Sequence, residues 1–172
     1  MRAMGGIVNF LGDRVDAELL VNMRRSMDSL GRGQWRADVY GKVGLLFGGG
    51  FDQPCECKGA GDKKAVIMLD GELNISCKEL AERYFSCGEA FLNDLEGVFS
   101  LTIYDEGQGK LIIARSRGRL APFYYSVNEK QLAFADSIYG LLPLVSSPDS
   151  ICELEEGSAA VITFGSLALV NF

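Results

Sequence analysis

The sequence predicts an α+β protein, with antiparallel sheets packed face to face and helices on their outer faces. Three observations carry this expectation. About nine short apolar runs read as strands. Most are joined in pairs by tight turns rich in Gly, Asn and Asp, the signature of hairpins. The helical segments, recognised by apolar residues at 3.6-residue spacing, fall into two groups. A chain of 172 residues with 48% hydrophobic content can bury a substantial core, and one domain over residues 1–172 is expected.

Met4-Gly5-Gly6-Ile7-Val8-Asn9-Phe10 opens the chain as a buried strand. Its glycine pair lets the backbone approach a neighbour closely or take φ > 0. After a turn at Gly12-Asp13, Asp16 is placed to cap a helix running to about Leu30. Leu19, Leu20, Met23, Met27 and Leu30 form its apolar stripe, Arg24 and Arg25 its solvated side, and Gly31 its stop. Gly31 to Arg36 reads as a loop. Ala37–Tyr40 and Val43–Phe47 form a hairpin around Gly41-Lys42, ended by Gly48-Gly49-Gly50, and 51–64 reads as loop.

Ala65–Leu69 is expected to be a buried strand ending in the turn Asp70-Gly71. Ser76 with Glu79 three residues on makes a capping box for a helix to about Phe85, followed by a short helix over Gly88–Leu95. Three hairpins follow: Val98–Tyr104 with Lys110–Ala114, Phe123–Val127 with Gln131–Ala135, and Ala159–Phe164 with Leu167–Val170. A short helix over Ser137–Leu144 precedes the last of them.

Seventeen basic against twenty-three acidic residues give a net charge of −6, which argues against nucleic acid or an anionic membrane surface as the partner. No apolar run approaches the ~18–20 residues that cross a bilayer. No leader-like apolar segment opens the chain, and a cytoplasmic protein is expected. Five cysteines, an odd number, read as reduced thiols rather than a disulfide framework. The absence of histidine removes the commonest general base and the commonest metal ligand together.

Several constellations offer chemistry, each with a plainer structural reading. Cys55-Glu56-Cys57 with Cys77 and Cys87 matches no paired Cys-x-x-Cys pattern, so no metal site is expected, and Cys57 beside Lys58 reads as a solvated loop thiol. Gly48-Gly49-Gly50 lacks the Gly-Lys-Ser/Thr of a phosphate loop. Arg115-Ser116-Arg117-Gly118-Arg119 could hold a phosphate or carboxylate, or simply be a solvated segment. Asp70-Gly71-Glu72 could supply paired carboxylates, although flanking residues of a glycine turn usually point apart. No cofactor is expected.

The order of segments resembles the class II glutamine amidotransferase domain, the N-terminal-nucleophile glutaminase half of asparagine synthetases. Phe91-Leu92-Asn93-Asp94-Leu95-Glu96-Gly97-Val98-Phe99-Ser100-Leu101-Thr102-Ile103-Tyr104-Asp105 is similar to that family's Leu-x-x-Leu-x-Gly-x-Phe-Ala-Phe-x-x-x-Asp segment. Leu111-Ile112-Ile113-Ala114-Arg115 and Ala121-Pro122-Phe123-Tyr124-Tyr125 resemble its Ala-Arg-Asp…Pro-Leu-Tyr-Tyr loop. Leu132 to Ser137 and the Glu156-Gly157 turn continue in register. The resemblance implies a four-layer αββα sandwich of the Ntn-hydrolase type. It also implies glutamine hydrolysis by a cysteine whose own free α-amino group is the base, with an asparagine and a glycine stabilising the oxyanion.

Measured against that pattern, the functional stations are altered. The family's Met-Cys-Gly-Ile start matches Met4-Gly5-Gly6-Ile7, so Gly5 stands at the nucleophile's place. The His-Arg-Gly-Pro-Asp loop corresponds to Gly31-Arg32-Gly33-Gln34-Trp35 and keeps only Arg32-Gly33. No arginine lies near Leu46-Phe47-Gly48-Gly49, where the glutamine carboxylate would be held. The oxyanion motif Asn-Gly-Glu becomes Asp70-Gly71-Glu72, an amide donor replaced by a carboxylate acceptor. The Ser-Asp-Thr/Ser-Glu helix that grips the substrate amine has no counterpart between Phe85 and Gly88.

The expectation is a pseudoenzyme with no catalytic residue, its remnant pocket comprising Gly6, Arg32, Gly33, Asp70, Gly71 and Glu72. It would serve as a scaffold, interaction or regulatory module for an ATP-dependent amide- or lactam-forming synthetase domain. In the family that domain follows about where this chain ends, so a partner in trans or in a longer chain is expected. The alternative is an enzyme or small-molecule sensor with altered chemistry in the same cleft.

Overall fold

A computed structural model describes residues 2–12, 14–28, 33–49, 54–118 and 122–172. In chain order the elements are β1 (Ala3–Asn9), α1 (Ala17–Asp28), β2 (Trp35–Tyr40), β3 (Val43–Gly48), β4 (Cys55–Lys58) and β5 (Lys64–Leu73). Next come α2 (Cys77–Cys87), a 3-10 segment (Gly88–Asp94), β6 (Gly97–Asp105), β7 (Lys110–Arg115), β8 (Phe123–Val127) and β9 (Gln131–Ala135). The chain closes with α3 (Ile138–Leu141), two short 3-10 turns, β10 (Cys152–Leu154), β11 (Ser158–Thr163) and β12 (Ser166–Asn171). The strands form two six-stranded sheets, antiparallel throughout, so the expected α+β class is borne out.

Packing divides the chain into two compact units, Met1–Phe51 with Ala121–Leu154 and Asp52–Leu120 with Glu155–Phe172. The first holds the sheet β10-β8-β9-β1-β3-β2 with α1 and α3. The Asp16 carboxylate accepts the Glu18 N–H at 2.9 Å and caps α1, as its sequence position predicts. Leu20, Met23 and Met27 are the buried stripe of that helix, while Arg24 and Arg25 are exposed. The stripe packs on Ala3 and Ile7 of β1, Leu46 of β3, and Ala133 and Ala135 of β9. Leu30 and Gly31, the predicted end of the helix, lie outside the described residues.

The second unit holds the sheet β12-β11-β7-β6-β5-β4 with α2. The capping box is present as predicted: Glu79 N–H donates to Ser76 Oγ at 3.2 Å, and Ser76 N–H donates back to Glu79 Oε2 at 2.9 Å. Accepting from the Ser76 N–H and, at 2.9 Å, from the Ser76 hydroxyl holds the Glu79 carboxyl below its usual pKa. Leu80, Ala81 and Tyr84 of α2 pack on Ile67, Leu69, Leu101 and Ile103 of the sheet. The buried Tyr84 hydroxyl donates to Asp105 Oδ2 at 2.9 Å, tying the helix to the end of β6.

Three expectations need correction. Residues 55–58 are a strand, not loop: Cys55-Glu56-Cys57-Lys58 pairs with Ile67 back to Lys64 as an edge, half-buried cysteines alternating with exposed charges. Asp70-Gly71 is no turn, since β5 runs on to Leu73 opposite β6. Cys152–Leu154 adds a further edge strand beside β8. The described residues therefore contain twelve strands where about nine were expected.

Candidate functional site

Gly5 is the third residue of β1, an interior strand, and is paired on both sides, opposite Leu46 of β3 and Ala135 of β9. Pleat alternation puts it on the face of Ala3 and Ile7, which pack among the α1 stripe. A Cβ at this position would stand 2.9 Å from Met23 Sδ, 2.9 Å from the Phe134 carbonyl oxygen and 3.3 Å from Ala135 Cβ. A thioether can swing aside, but the carbonyl belongs to the neighbouring strand and moves only with the sheet. Gly6 is closed on the opposite face, its Cβ position 2.6 Å from the Gly44 carbonyl oxygen and 2.6 Å from the Phe134 ring. The glycine pair is a packing requirement of the sheet.

Arg32 lies outside the described residues. Gly33 is exposed at φ +83°, a left-handed position suited to glycine. Trp35, matched with the last residue of the family's loop motif, opens β2 opposite Gly48. Its indole lies against Gly48, where a Cβ would come within 2.8 Å of the ring, and its Nε1 donates to Asp28 Oδ1 at 2.8 Å. The Leu46–Gly48 segment, where the resemblance would put a carboxylate-holding arginine, is thus covered by an indole fastened to the end of α1.

In the other unit, Asp70, Gly71 and Glu72 lie within β5 opposite Ser100, Phe99 and Val98. Gly71 takes φ +109°, and a Cβ there would fall 2.1 Å from the Val98 carbonyl oxygen. Gly97 on the paired strand has φ +145° and an equally close approach, 2.1 Å from the Glu72 carbonyl oxygen. Gly71 pairs with Phe99 and Gly97 with Leu73, so the two glycines lie diagonally across β5 and β6 and let the backbones pass closely. Asp70 is half-buried and Glu72 exposed. Directly after α2, Gly88 at φ +60° turns the chain into the 3-10 segment, so no helix intervenes between Phe85 and Gly88.

The arginine segment is answered by the chain's own carboxylate. Buried Arg115 approaches Glu156 Oε1 at 3.3 Å, and the Gly118 N–H donates to Glu156 Oε2 at 3.2 Å. Arg117 donates to the Phe172 carbonyl at 3.2 Å, while Arg119 lies outside the described residues. Cys57 is no solvated loop thiol: it is half-buried in β4, its Sγ is 3.7 Å from the Cys77 carbonyl, and burial pushes its pKa up. Such a thiol is a poor nucleophile. No group of three potential metal ligands occurs among the described residues.

Sequence reasoning missed the Trp35–Gly48 contact, the Glu156 partner of Arg115 and the Tyr84–Asp105 bond. The first had a signal: the chain's one tryptophan stands two residues before a predicted hairpin whose far strand ends in glycines. The other two link residues 41 and 21 positions apart, beyond any local pattern.

Comparison with known proteins shows what the chain is similar to. A family described as "Glutamine amidotransferase domain" matches residues 76–157. The chain is 31% identical to asparagine synthetase [glutamine-hydrolyzing] 2 of Bacillus subtilis (strain 168), over 46% of this chain and 13% of the relative. With asparagine synthetase [glutamine-hydrolyzing] 3 of the same organism it shares 28% identity over 70% of this chain and 24% of the relative. It thus spans under a quarter of the length of these curated relatives. Among solved structures, the glutamine phosphoribosylpyrophosphate amidotransferase of B. subtilis superposes over 98% of this chain and 49% of its own, with TM-score 0.71 at 14% identity. At that identity the likeness concerns the fold. No helix among the described residues is long and apolar enough to cross a membrane.

Proposed function

We propose that this chain, similar over part of its length to a glutamine amidotransferase domain and to asparagine synthetases, does not hydrolyse glutamine. It acts instead as a scaffold or regulatory module for an ATP-dependent amide- or lactam-forming synthetase domain, in trans or in a longer chain. The observation that carries this reading is Gly5. A thiol nucleophile needs a Cβ, and here that atom would sit 2.9 Å from a backbone carbonyl in the middle of a sheet. Such a nucleophile also needs a free α-amine as its base, whereas the nitrogen of Gly5 is an amide inside a strand.

The remaining stations support the same reading. Asp70, when ionised, can only accept hydrogen bonds, so it would repel a developing oxyanion rather than stabilise it. The indole of Trp35 lies on Gly48, in the segment where the resemblance would put the substrate's carboxylate clamp. The fold is kept while the chemistry is not, as expected of a domain retained for contacts.

Two assays test the proposal. Incubated with glutamine, the chain should release no glutamate above the buffer rate. Mixed with an ATP-dependent amide- or lactam-forming synthetase-like protein encoded beside it, where one is found, it should co-elute in gel filtration. Failure to co-elute would remove the scaffold role, and glutamate release would remove the inactivity.

A further inference from the structure

We propose that β12 is a self-pairing edge, along which two copies of the chain join antiparallel about a twofold axis at Leu169. The two sheets have four edge strands, and three carry features that discourage pairing. β10 is only three residues long. β2 bears Arg36 and Asp38, an ion pair at 2.6 Å. β4 carries the exposed charges Glu56 and Lys58.

β12 has none of these features. Ser166-Leu167-Ala168-Leu169-Val170-Asn171 contains no charge and no proline, and it lies in a run without charge from Gly157 to Phe172. Leu169 is 57% exposed and Val170 37% exposed, so the edge presents apolar side chains to water.

The register fixes which backbone groups face outward. β11 and β12 are joined by the two-residue turn Phe164-Gly165, closed by the pair Thr163 and Ser166. In such a hairpin the closing pair exchanges both hydrogen bonds, and every second pair follows suit, so Ala168 and Val170 also bond to β11. The Phe172 N–H donates to the Gly157 carbonyl at 2.9 Å, in the same phase. Leu167, Leu169 and Asn171 therefore point their N–H and C=O groups toward the open edge.

A twofold axis normal to the sheet at Leu169 sets this residue opposite its own copy. It sets Leu167 opposite Asn171 of the second copy, and Ala168 opposite Val170 of the second copy. All the outward groups then find partners. A shift of one residue would instead oppose outward groups to inward ones. A net charge of −6 disfavours self-association elsewhere on the surface, and this is the edge that carries none of it. One short strand buries less than the ~1,200 Å² of stable interfaces, so the dimer is weak and concentration-dependent.

Sedimentation equilibrium of the whole chain from about 1 μM to about 1 mM should show monomer passing to dimer. Leu169→Lys sets two ammonium groups across the axis and should weaken the dimer by about tenfold or more, with the far-ultraviolet circular dichroism unchanged. Leu169→Glu should do the same alone. Mixed in equal amounts, the Lys and Glu variants should form the dimer again, because opposite charges now face each other. A wild-type chain monomeric throughout, a dimer indifferent to Leu169→Lys, or a mixture that stays monomeric would each overturn the proposal.

Discussion

A side chain at position 5 must displace the Phe134 carbonyl or push β1 out of register, because the room it needs is filled by the adjoining strand. Gly5→Cys should therefore lower stability by about 1–3 kcal/mol, read as a fall in the denaturant midpoint without a change in slope. Gly71→Ala should cost about 2–4 kcal/mol, since it adds a left-handed backbone conformation to a direct clash with the Val98 carbonyl. Gly12 has φ +92° but open space around it. Gly12→Ala should cost only the backbone part, about 1 kcal/mol. Comparing the three by chemical denaturation separates packing from backbone strain.

At the scale of elements, the bond from Tyr84 to Asp105 is a buried polar link between α2 and the β6–β7 hairpin that the sequence does not announce. Asp105 also accepts from the Gln108 N–H at 3.0 Å, so one carboxylate organises both the hairpin turn and the helix. Tyr84→Phe should cost about 1.5–3 kcal/mol, the range for a hydrogen bond to a charged group. Burial first, and then Asp105, push the Tyr84 hydroxyl well above the usual tyrosine value of 10.0. A raised folded pKa means that this stabilisation is complete below about pH 10 and is lost as pH rises beyond it. Tyr104, raised by burial as well, acts in the same direction. Tyr84→Phe should therefore flatten, though not abolish, the alkaline fall in melting temperature. On the acid side, the Lys110 ammonium 2.7 Å from Glu89 holds that carboxyl below its usual 4.5. Its contribution is present above that value and is lost as pH falls through the lowered one. Lys110→Met should reduce the acid dependence of the melting temperature.

At the scale of the whole molecule, what could be read in the sequence was what is local. The hairpin Phe123–Val127 with Gln131–Ala135 has the predicted bounds, because a short Asn-containing turn between apolar runs specifies both strands. The capping box of α2 and the Asp16 cap of α1 were legible for the same reason. β4 was missed because two of its four residues are charged, and only pairing with β5 makes an edge of it. The Asp70-Gly71 turn was misread because the constraint lies across the sheet: Gly97 faces the distortion from β6. In the candidate site, the glycine at position 5, where the resemblance would put a thiol, is read directly from the sequence. The reason a thiol could not simply be restored was not legible, since it needs Phe134, well over a hundred residues away in the chain, to be placed beside it.

Glutamate release reads out whether this amidotransferase-like fold lacks glutamine chemistry, as proposed above. The wild-type chain and Gly5→Cys, the latter with the residues before position 5 removed, would be incubated with glutamine over a range of concentrations. Neither protein should show saturable glutamate release, because a Cβ at position 5 meets the Phe134 carbonyl and Asp70, when ionised, offers no hydrogen-bond donor. Saturable release by the wild-type chain would contradict the proposal.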